Sequence, residues 1–237
     1  MSTIALAPRT DTDALAAEFA RCGRLRIPNL LREADAARLH EILVRRTPWN
    51  LFIIHDGPKV MPLAQWQALP AAERKSIDEQ MAVAARDKFE ARFLQCPLTE
   101  TGEPFAGLIP ELDALARFLN SEPFLSFMRA VTGSGKIAFA DAQATCYRAN
   151  DYLHRHTDEV PGKNRIVAYV LNLTPRWQPE WGGLLNFMRP DGQVGEAWVP
   201  GFNTLNLLRV PHDHFVGSVA GFVEAPRLAV TGWLRHR

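Results

Sequence analysis

The feature that most constrains this chain is a change of hydrophobic period near Gly133-Ser134-Gly135. Upstream, apolar residues recur at helical spacing; downstream, short β-type runs are broken by Gly, Pro and Asn. Such a chain is expected to be an α+β protein with a mainly β core. Residues 1–135 read as a mainly helical region packed on a sheet built from residues 136–237. One structural domain is the expectation, because 237 residues of which 47% are hydrophobic can bury a sizeable core.

The elements follow from local signals. Asp11 or Thr12 can start a helix that runs through Ala20 and stops at Gly23, ahead of an extended Arg24–Pro28. Residues 33–46 place Leu39, Ile42 and Leu43 on one stripe. The spacing of Ile77, Met81, Ala84, Ala85, Phe89 and Phe93 predicts one long amphipathic helix over 71–94, and 111–119 and 123–131 read as shorter helices. Strands are predicted at 137–147, 165–173, 184–188, 195–199, 204–208, 215–219 and 227–233. Seven or eight antiparallel strands with tight connections suit a double-stranded β-helix, a jelly-roll or cupin-like sandwich with an N-terminal helical buttress. Segment 51–65, with Gly57-Pro58 and Pro62, reads as a surface loop or a mobile cover over the barrel mouth.

Charge narrows the partners. With 27 basic and 26 acidic residues the formal charge is +1, so no global field recruits nucleic acid or an anionic membrane. No run approaches the ~18 apolar residues of a membrane span, and Met1–Arg9 lacks a basic region followed by an apolar run, so neither export nor anchoring is expected. Cys22, Cys96 and Cys146 are odd in number and widely spaced, which fits a reducing cytoplasm.

The chemistry-bearing residues lie in the β half. His154-Arg155-His156-Thr157-Asp158 contains the one His-x-Asp of the chain and is answered by His212-Asp213-His214. In an extended segment residues i and i+2 share a face, so His156 and Asp158 can converge on one ion. His214 is the preferred third ligand because a strand follows it directly, whereas His212 follows Pro211 in a turn. Two histidines and a carboxylate leave open positions on a non-haem Fe(II); a zinc hydrolase could use the same donors. Arg227 argues for the first. A strand starting there puts Arg227, Ala229, Thr231 and Trp233 on one face, and a buried guanidinium requires an anion such as the distal carboxylate of 2-oxoglutarate. The bland alternative for Arg227 is a structural salt bridge.

The stretch 142–235 resembles the Fe(II)/2-oxoglutarate-dependent dioxygenases, in particular the prolyl 4-hydroxylase-like branch that includes hypoxia-sensing and ribosomal-protein prolyl hydroxylases. The resemblance rests on Cys146-Tyr147, the His156-Thr157-Asp158 motif, Tyr169-Val170-Leu171-Asn172, Trp181-Gly182-Gly183, Asn203-Thr204-Leu205-Asn206, His214-Phe215-Val216 and Arg227 through Trp233, in that order. It implies that His156, Asp158 and His214 bind Fe(II) and that Arg227 binds the distal carboxylate of 2-oxoglutarate. Dioxygen is the oxidant, succinate and carbon dioxide are released, and ascorbate is a candidate accessory reductant. One departure is visible. Hypoxia-sensing members carry a co-substrate tyrosine where this chain has Val170, so Tyr147 or Thr231 is expected to supply the missing hydroxyl.

The resemblance favours a prolyl residue in a protein or peptide, a translation component being the family-based expectation. A free amino acid or small metabolite is the competing substrate, with Arg148, Arg155, Arg176 and Arg209 available to bind it. A non-catalytic cupin-like metal-binding module is the third reading. Trp49, Trp66, Trp177, Trp181 and Trp198, with the loop 174–180, are the expected places for substrate contact.

Overall fold

The computed structural model describes residues 4–237; the first three residues of the N-terminal stretch considered above lie outside them. The chain opens with α1 (Thr12–Cys22), which Gly23 ends in the left-handed conformation with its N–H on the Phe19 carbonyl. Strand β1 (Arg24–Ile27) follows, then α2 (Glu33–Arg45), which buries Leu39, Ile42 and Leu43 as their spacing predicts. The next elements are β2 (Asn50–Ile54), β3 (Pro58–Pro62), α3 (Leu63–Ala68), α4 (Ala71–Ala84), β4 (Ala91–Glu100) and β5 (Glu103–Pro104). Helices α5 (Pro110–Leu119) and α6 (Glu122–Thr132) complete the N-terminal part.

The remainder is β6 (Phe139–Tyr147), β7 (Tyr152–His156), β8 (Arg165–Asn172), β9 (Leu185–Met188), β10 (Val194–Trp198), β11 (Thr204–Arg209), β12 (His214–Val216) and β13 (Arg227–Arg235). Hydrogen bonds link the strands in the order β1-β11-β8-β13-β6-β4-β7-β12-β9-β10, with every pairing antiparallel. The ladder bends back on itself at β4, which pairs with β6 along one stretch and with β7 through Ala91 and Arg92. At the open seam between β1 and β10, side chains take over: Arg24 Nε meets Glu196 Oε2 at 2.6 Å and Arg26 donates to the Val199 carbonyl at 2.9 Å. The result is the expected jelly roll with helices on one outer face.

Two apolar cores result. One lies between the helices and the outer face of the sheet, where Phe124 packs edge-on to Tyr169. The other fills the barrel interior around Phe93, Phe187 and Trp198. Each fully buried side chain of this kind is worth about 1.5–3 kcal/mol relative to exposure, so both cores contribute to holding the sheet closed.

Two expectations fail in the same region. The helix predicted over 71–94 ends at Ala84, and Ala91–Glu100 is a strand. It lies between β2 and β6 and is buried along most of its length on both faces, so the period-two signal disappears and its apolar positions can be fitted to a helical stripe. Phe93 is buried in the barrel, while Phe89 is 45% exposed. Segment 51–65 is no loose cover either. Leu51 and Ile53 of β2, which pairs with β4, are buried against the helical core, and Pro58 and Pro62 bound the outer strand β3. A β strand without a second partner tolerates prolines because its outer N–H groups need none. Among the described residues, the part of the chain before 136 thus supplies five strands as well as six helices.

Candidate metal centre

The site is assembled where β7 and β12 run side by side. His156 ends β7, His214 begins β12, and the two are direct cross-strand partners with ring centroids 4.2 Å apart. Each ring is held at Nδ1 by the carbonyl two residues earlier: His156 on His154 at 2.8 Å and His214 on His212 at 2.7 Å. A backbone carbonyl at Nδ1 fixes the tautomer with Nε2 unprotonated in the neutral ring, the form a metal takes. Both Nε2 atoms face the same carboxylate, His156 at 3.5 Å from Asp158 Oδ1 and His214 at 3.4 Å from Asp158 Oδ2.

Asp158 reaches that point by a route the sequence did not indicate. It lies beyond the end of β7 with φ of 64°, a left-handed conformation that Asp tolerates better than most residues. Arg165 Nη1 donates to its carbonyl at 2.9 Å, and the Arg165 guanidinium lies 3.5 Å over the Trp233 ring. The convergence of His156 and Asp158 therefore comes from a held turn, and not from two positions on one extended face.

The three donor atoms lie within 4.8 Å of one another and form the one such His, Cys, Asp or Glu cluster among the described residues. Burial pushes the Asp158 pKa up, but the His156 hydrogen bond and the charges of His214 and His156 outweigh it and leave the group below the usual carboxylate range. Burial likewise depresses His156, yet Asp158 raises it overall. His214, desolvated and beside His156, falls to about 4. Of the two imidazoles, His156 therefore holds a proton to higher pH than His214. Two imidazole nitrogens and one carboxylate oxygen with a common focus fit a facial Fe(II) site.

Arg227 begins β13 opposite Tyr147, with its guanidinium carbon 5.1 Å from the Tyr147 ring centre. It is 2% exposed, no carboxylate pairs with it among the described residues, and its Nε has no acceptor. The salt-bridge reading of Arg227 thus has no partner in the structure. Burial lowers its pKa. An uncompensated buried guanidinium is costly, so Arg227 suits an anionic ligand at this point of the barrel. Gly183, at φ 63°, lets the chain pass close by: a Cβ there would lie 3.4 Å from Arg227 Cδ and 3.0 Å from Val219.

Arg227, Tyr147, Thr231, Trp233 and the three clustered residues all line one cavity of about 80 Å³ inside the barrel. Thr231 is flanked directly by Val170 on β8 and Gln143 on β6, so a hydroxyl sits beside the position where valine offers none. Tyr169 points the other way and donates to the Asp141 carbonyl at 3.0 Å. Sequence reasoning missed three lining residues: Gln143, Thr145 and Phe93, which stacks on Tyr147 at 5.0 Å. The first two lie on the predicted strand 137–147, where alternation with Tyr147 could have found them; Phe93 was hidden by the helical reading.

Other candidates are placed elsewhere. His212 packs against Phe187 and is not a donor to the cluster. Trp66, Trp177 and Trp198 are buried, and Trp177 donates to the Gly182 carbonyl at 2.8 Å, so the loop 174–180 does not present that ring to a substrate. Trp49 is partly buried against the helical core, and Trp181 lies edge-on to Trp177. Arg148 and Arg155 pair with Asp151 and Asp213, and Arg209 lies over Phe19.

Residues 142–235 match the family model of the 2OG-Fe(II) oxygenase superfamily. Over 131 residues, 52% of the chain, the sequence is 30% identical to prolyl 3-hydroxylase OGFOD1 of Mus musculus, of whose length it covers 23%. In structure it is similar to a Pseudomonas putida prolyl-4-hydroxylase, with a TM-score of 0.63 at 19% identity over 96% of this chain and 100% of that one. A Trichoplax adhaerens prolyl hydroxylase, solved with a hypoxia inducible factor peptide fragment, gives 0.58 at 16% identity over 95% and 89%.

Proposed function

We propose that this chain, whose residues 142–235 match the 2OG-Fe(II) oxygenase family model, is an Fe(II)- and 2-oxoglutarate-dependent dioxygenase that hydroxylates a prolyl residue in a protein or peptide. The single observation that carries the chemistry is the pairing, in one barrel interior, of a His156–Asp158–His214 cluster with a buried arginine that lacks an anion. A zinc hydrolase has no use for Arg227. When bound, Fe(II) with 2-oxoglutarate and dioxygen supplies an oxidation in which the co-substrate becomes succinate and carbon dioxide while a C–H bond becomes C–OH.

The chain's own residues do the rest. His156, Asp158 and His214 hold the metal on one side and leave the remaining positions open. Arg227 binds the distal carboxylate as a fixed two-pronged donor, and Tyr147 and Thr231 supply hydroxyls to the same ligand, Thr231 taking the part that Val170 cannot. Phe93 and Leu153 wall the cavity and exclude water. The prolyl assignment is supported by the likeness to prolyl 3-hydroxylase OGFOD1 and the structural neighbours. A translation component as target, ascorbate as accessory reductant and a cytoplasmic location, for which the three free cysteines speak, complete the reading.

Anaerobic titration of the Fe(II)-loaded protein with 2-oxoglutarate tests it. A weak visible charge-transfer band that fades in Arg227→Ala is expected, followed by aerobic succinate release stimulated by proline peptides above free amino acids. Stoichiometric Fe(II) without a band would overturn the co-substrate assignment.

A further inference from the structure

The inner face of the barrel changes character in steps along β13 and β6. Arg227 stands opposite Tyr147, then Ala229 opposite Thr145, then Thr231 opposite Gln143, then Trp233 opposite Asp141. The first two pairs are buried, whereas Gln143, Thr231 and Trp233 are partly exposed, so the interior is deep at Arg227 and opens toward Trp233. The metal cluster belongs to the open end. Trp233 lies under the guanidinium of Arg165, which holds the Asp158 turn through its carbonyl. A groove of about 930 Å³ beneath α4, along the outer face of β7 and β12, is larger but holds no cluster of ligating groups among the described residues.

Four residues of strand separate Arg227 from Thr231, roughly 13 Å of backbone. Between them Ala229 is apolar and the Thr145 hydroxyl donates to the Ala229 carbonyl at 3.4 Å, so neither offers a free polar group to the cavity. Phe93, stacked on Tyr147, lines the same interior. A cation, an apolar interval and a second polar station next to a metal cluster match a dicarboxylic acid whose ends are separated by methylenes.

The second station is a row across three strands, Val170 on β8, Thr231 on β13 and Gln143 on β6, and all three line the cavity. Valine has nothing to donate and Thr231 has a single O–H, whereas a carboxylate accepts several hydrogen bonds. The Gln143 carboxamide carries two N–H donors and has no hydrogen-bond partner among the described residues.

We infer that Gln143 is a co-substrate-binding residue, its carboxamide donating, beside Thr231, to the 2-oxo acid end of 2-oxoglutarate while Arg227 takes the distal carboxylate. The inference rests on the 2-oxoglutarate reading for the identity of the ligand, and on the row itself for which end Gln143 meets. Gln143 therefore governs how the metal-chelating end is oriented, a task that Arg227, at the far end of the cavity, does not share.

The test is anaerobic titration of the Fe(II)-loaded full chain with 2-oxoglutarate, reading both the concentration that saturates the charge-transfer band and the position of its maximum. Gln143→Leu and Gln143→Glu are compared with Arg227→Lys. A donor on the chelating end lowers the energy of the ligand orbital that receives the charge. Gln143→Leu is therefore expected to move the maximum to shorter wavelength and to raise the saturating concentration about tenfold, the worth of a hydrogen bond to a charged group. Gln143→Glu, which sets carboxylate against carboxylate in the same shape, should raise it further. Arg227→Lys should raise the concentration with the maximum unmoved. Mn(II) affinity without 2-oxoglutarate, measured by calorimetry, should be the same in Gln143→Leu as in wild type. An unmoved maximum in Gln143→Leu, whatever concentration it needs, would overturn the assignment, and so would a loss of Mn(II) affinity, which would make Gln143 a structural support of the metal centre. Absence of the band from wild-type protein holding stoichiometric Fe(II) would instead defeat the 2-oxoglutarate reading, and this inference with it.

Discussion

The two faces of β7 and β12 make opposite uses of the same strands. On the inner face the polar groups converge: His156, His214 and Asp158 share one focus in a cavity of about 80 Å³. On the outer face, beneath α4, the space is more than ten times larger, but among the described residues it holds no such cluster of ligating groups. Volume therefore does not locate the chemistry in this molecule. Convergence of donor atoms, each oriented by a backbone carbonyl or a held turn, locates it.

The largest effect expected is on the inner face. Asp158→Ala removes the carboxylate both imidazoles face. Loss of an outer partner of a metal ligand already costs roughly 10–100-fold in affinity, so loss of the ligand should exceed that and abolish succinate formation. Calorimetric Mn(II) or Fe(II) titration checks it, and near wild-type affinity would remove Asp158 from the site. Tyr152→Phe, on the outer face of the same strand, should leave that titration unchanged.

Arg227 sharpens the contrast because function and stability pull apart there. Arg227→Lys keeps the charge but loses the planar fork, and is expected to raise the 2-oxoglutarate requirement about tenfold or more. Arg227→Met should abolish saturable 2-oxoglutarate binding yet stabilise the ligand-free protein by about 1–4 kcal/mol, since an unpaired buried charge is replaced by an apolar chain. Thermal melts with and without 2-oxoglutarate read both effects. A destabilised ligand-free Arg227→Met would mean that the guanidinium already has a compensating partner.

Metal uptake also carries a sign that can be checked. Asp158 holds the His156 pKa above its ordinary 6.5, whereas His214 titrates near 4. A metal must displace the His156 proton, so apparent affinity is expected to fall about tenfold for each pH unit below that raised pKa, and to level off above it. The proton acts in the opposite sense on the ligand-free fold: stability gained from protonated His156 is present below its unfolded pKa and lost as pH rises through the folded one. Affinity that is flat between pH 5 and pH 7, above the titration of His214 near 4, would contradict the assignment of His156 as the proton-bearing ring.

The inner face was largely legible in the sequence and the outer face was not, for a physical reason. His156, His214, Arg227 and Thr231 lie on short strands bounded by turn residues, so strand patterning finds them with little help from the rest of the fold. The way Asp158 arrives was not legible, because a left-handed turn held by Arg165 from β8 is a tertiary effect. Phe93 and the whole of β4 were misplaced because a strand buried on both faces loses its alternation. The hairpin of β2 and β3 hid behind prolines that mark a loop in one context and an edge strand in another. The pairings along α4 could not be seen at all, since only the structure shows that Asp78 is engaged by Arg92 from β4 and Glu79 by Lys75.

The smallest effect expected concerns how firmly the outer layer is attached. Helix α4 buries a single residue, Met81, against the groove, whereas the inner face belongs to a core shared by several strands. Met81→Ala removes about 2–5 kcal/mol of packing, but a layer with one anchor opens locally before the barrel does. Hydrogen exchange in 71–84 should therefore quicken, the global thermal midpoint should move by less than the lost packing implies, and metal affinity should not change. A full drop in the midpoint, or a loss of metal affinity, would show that α4 and the barrel fold as one cooperative unit, and that the two faces of β7 and β12 are coupled through the strands they share.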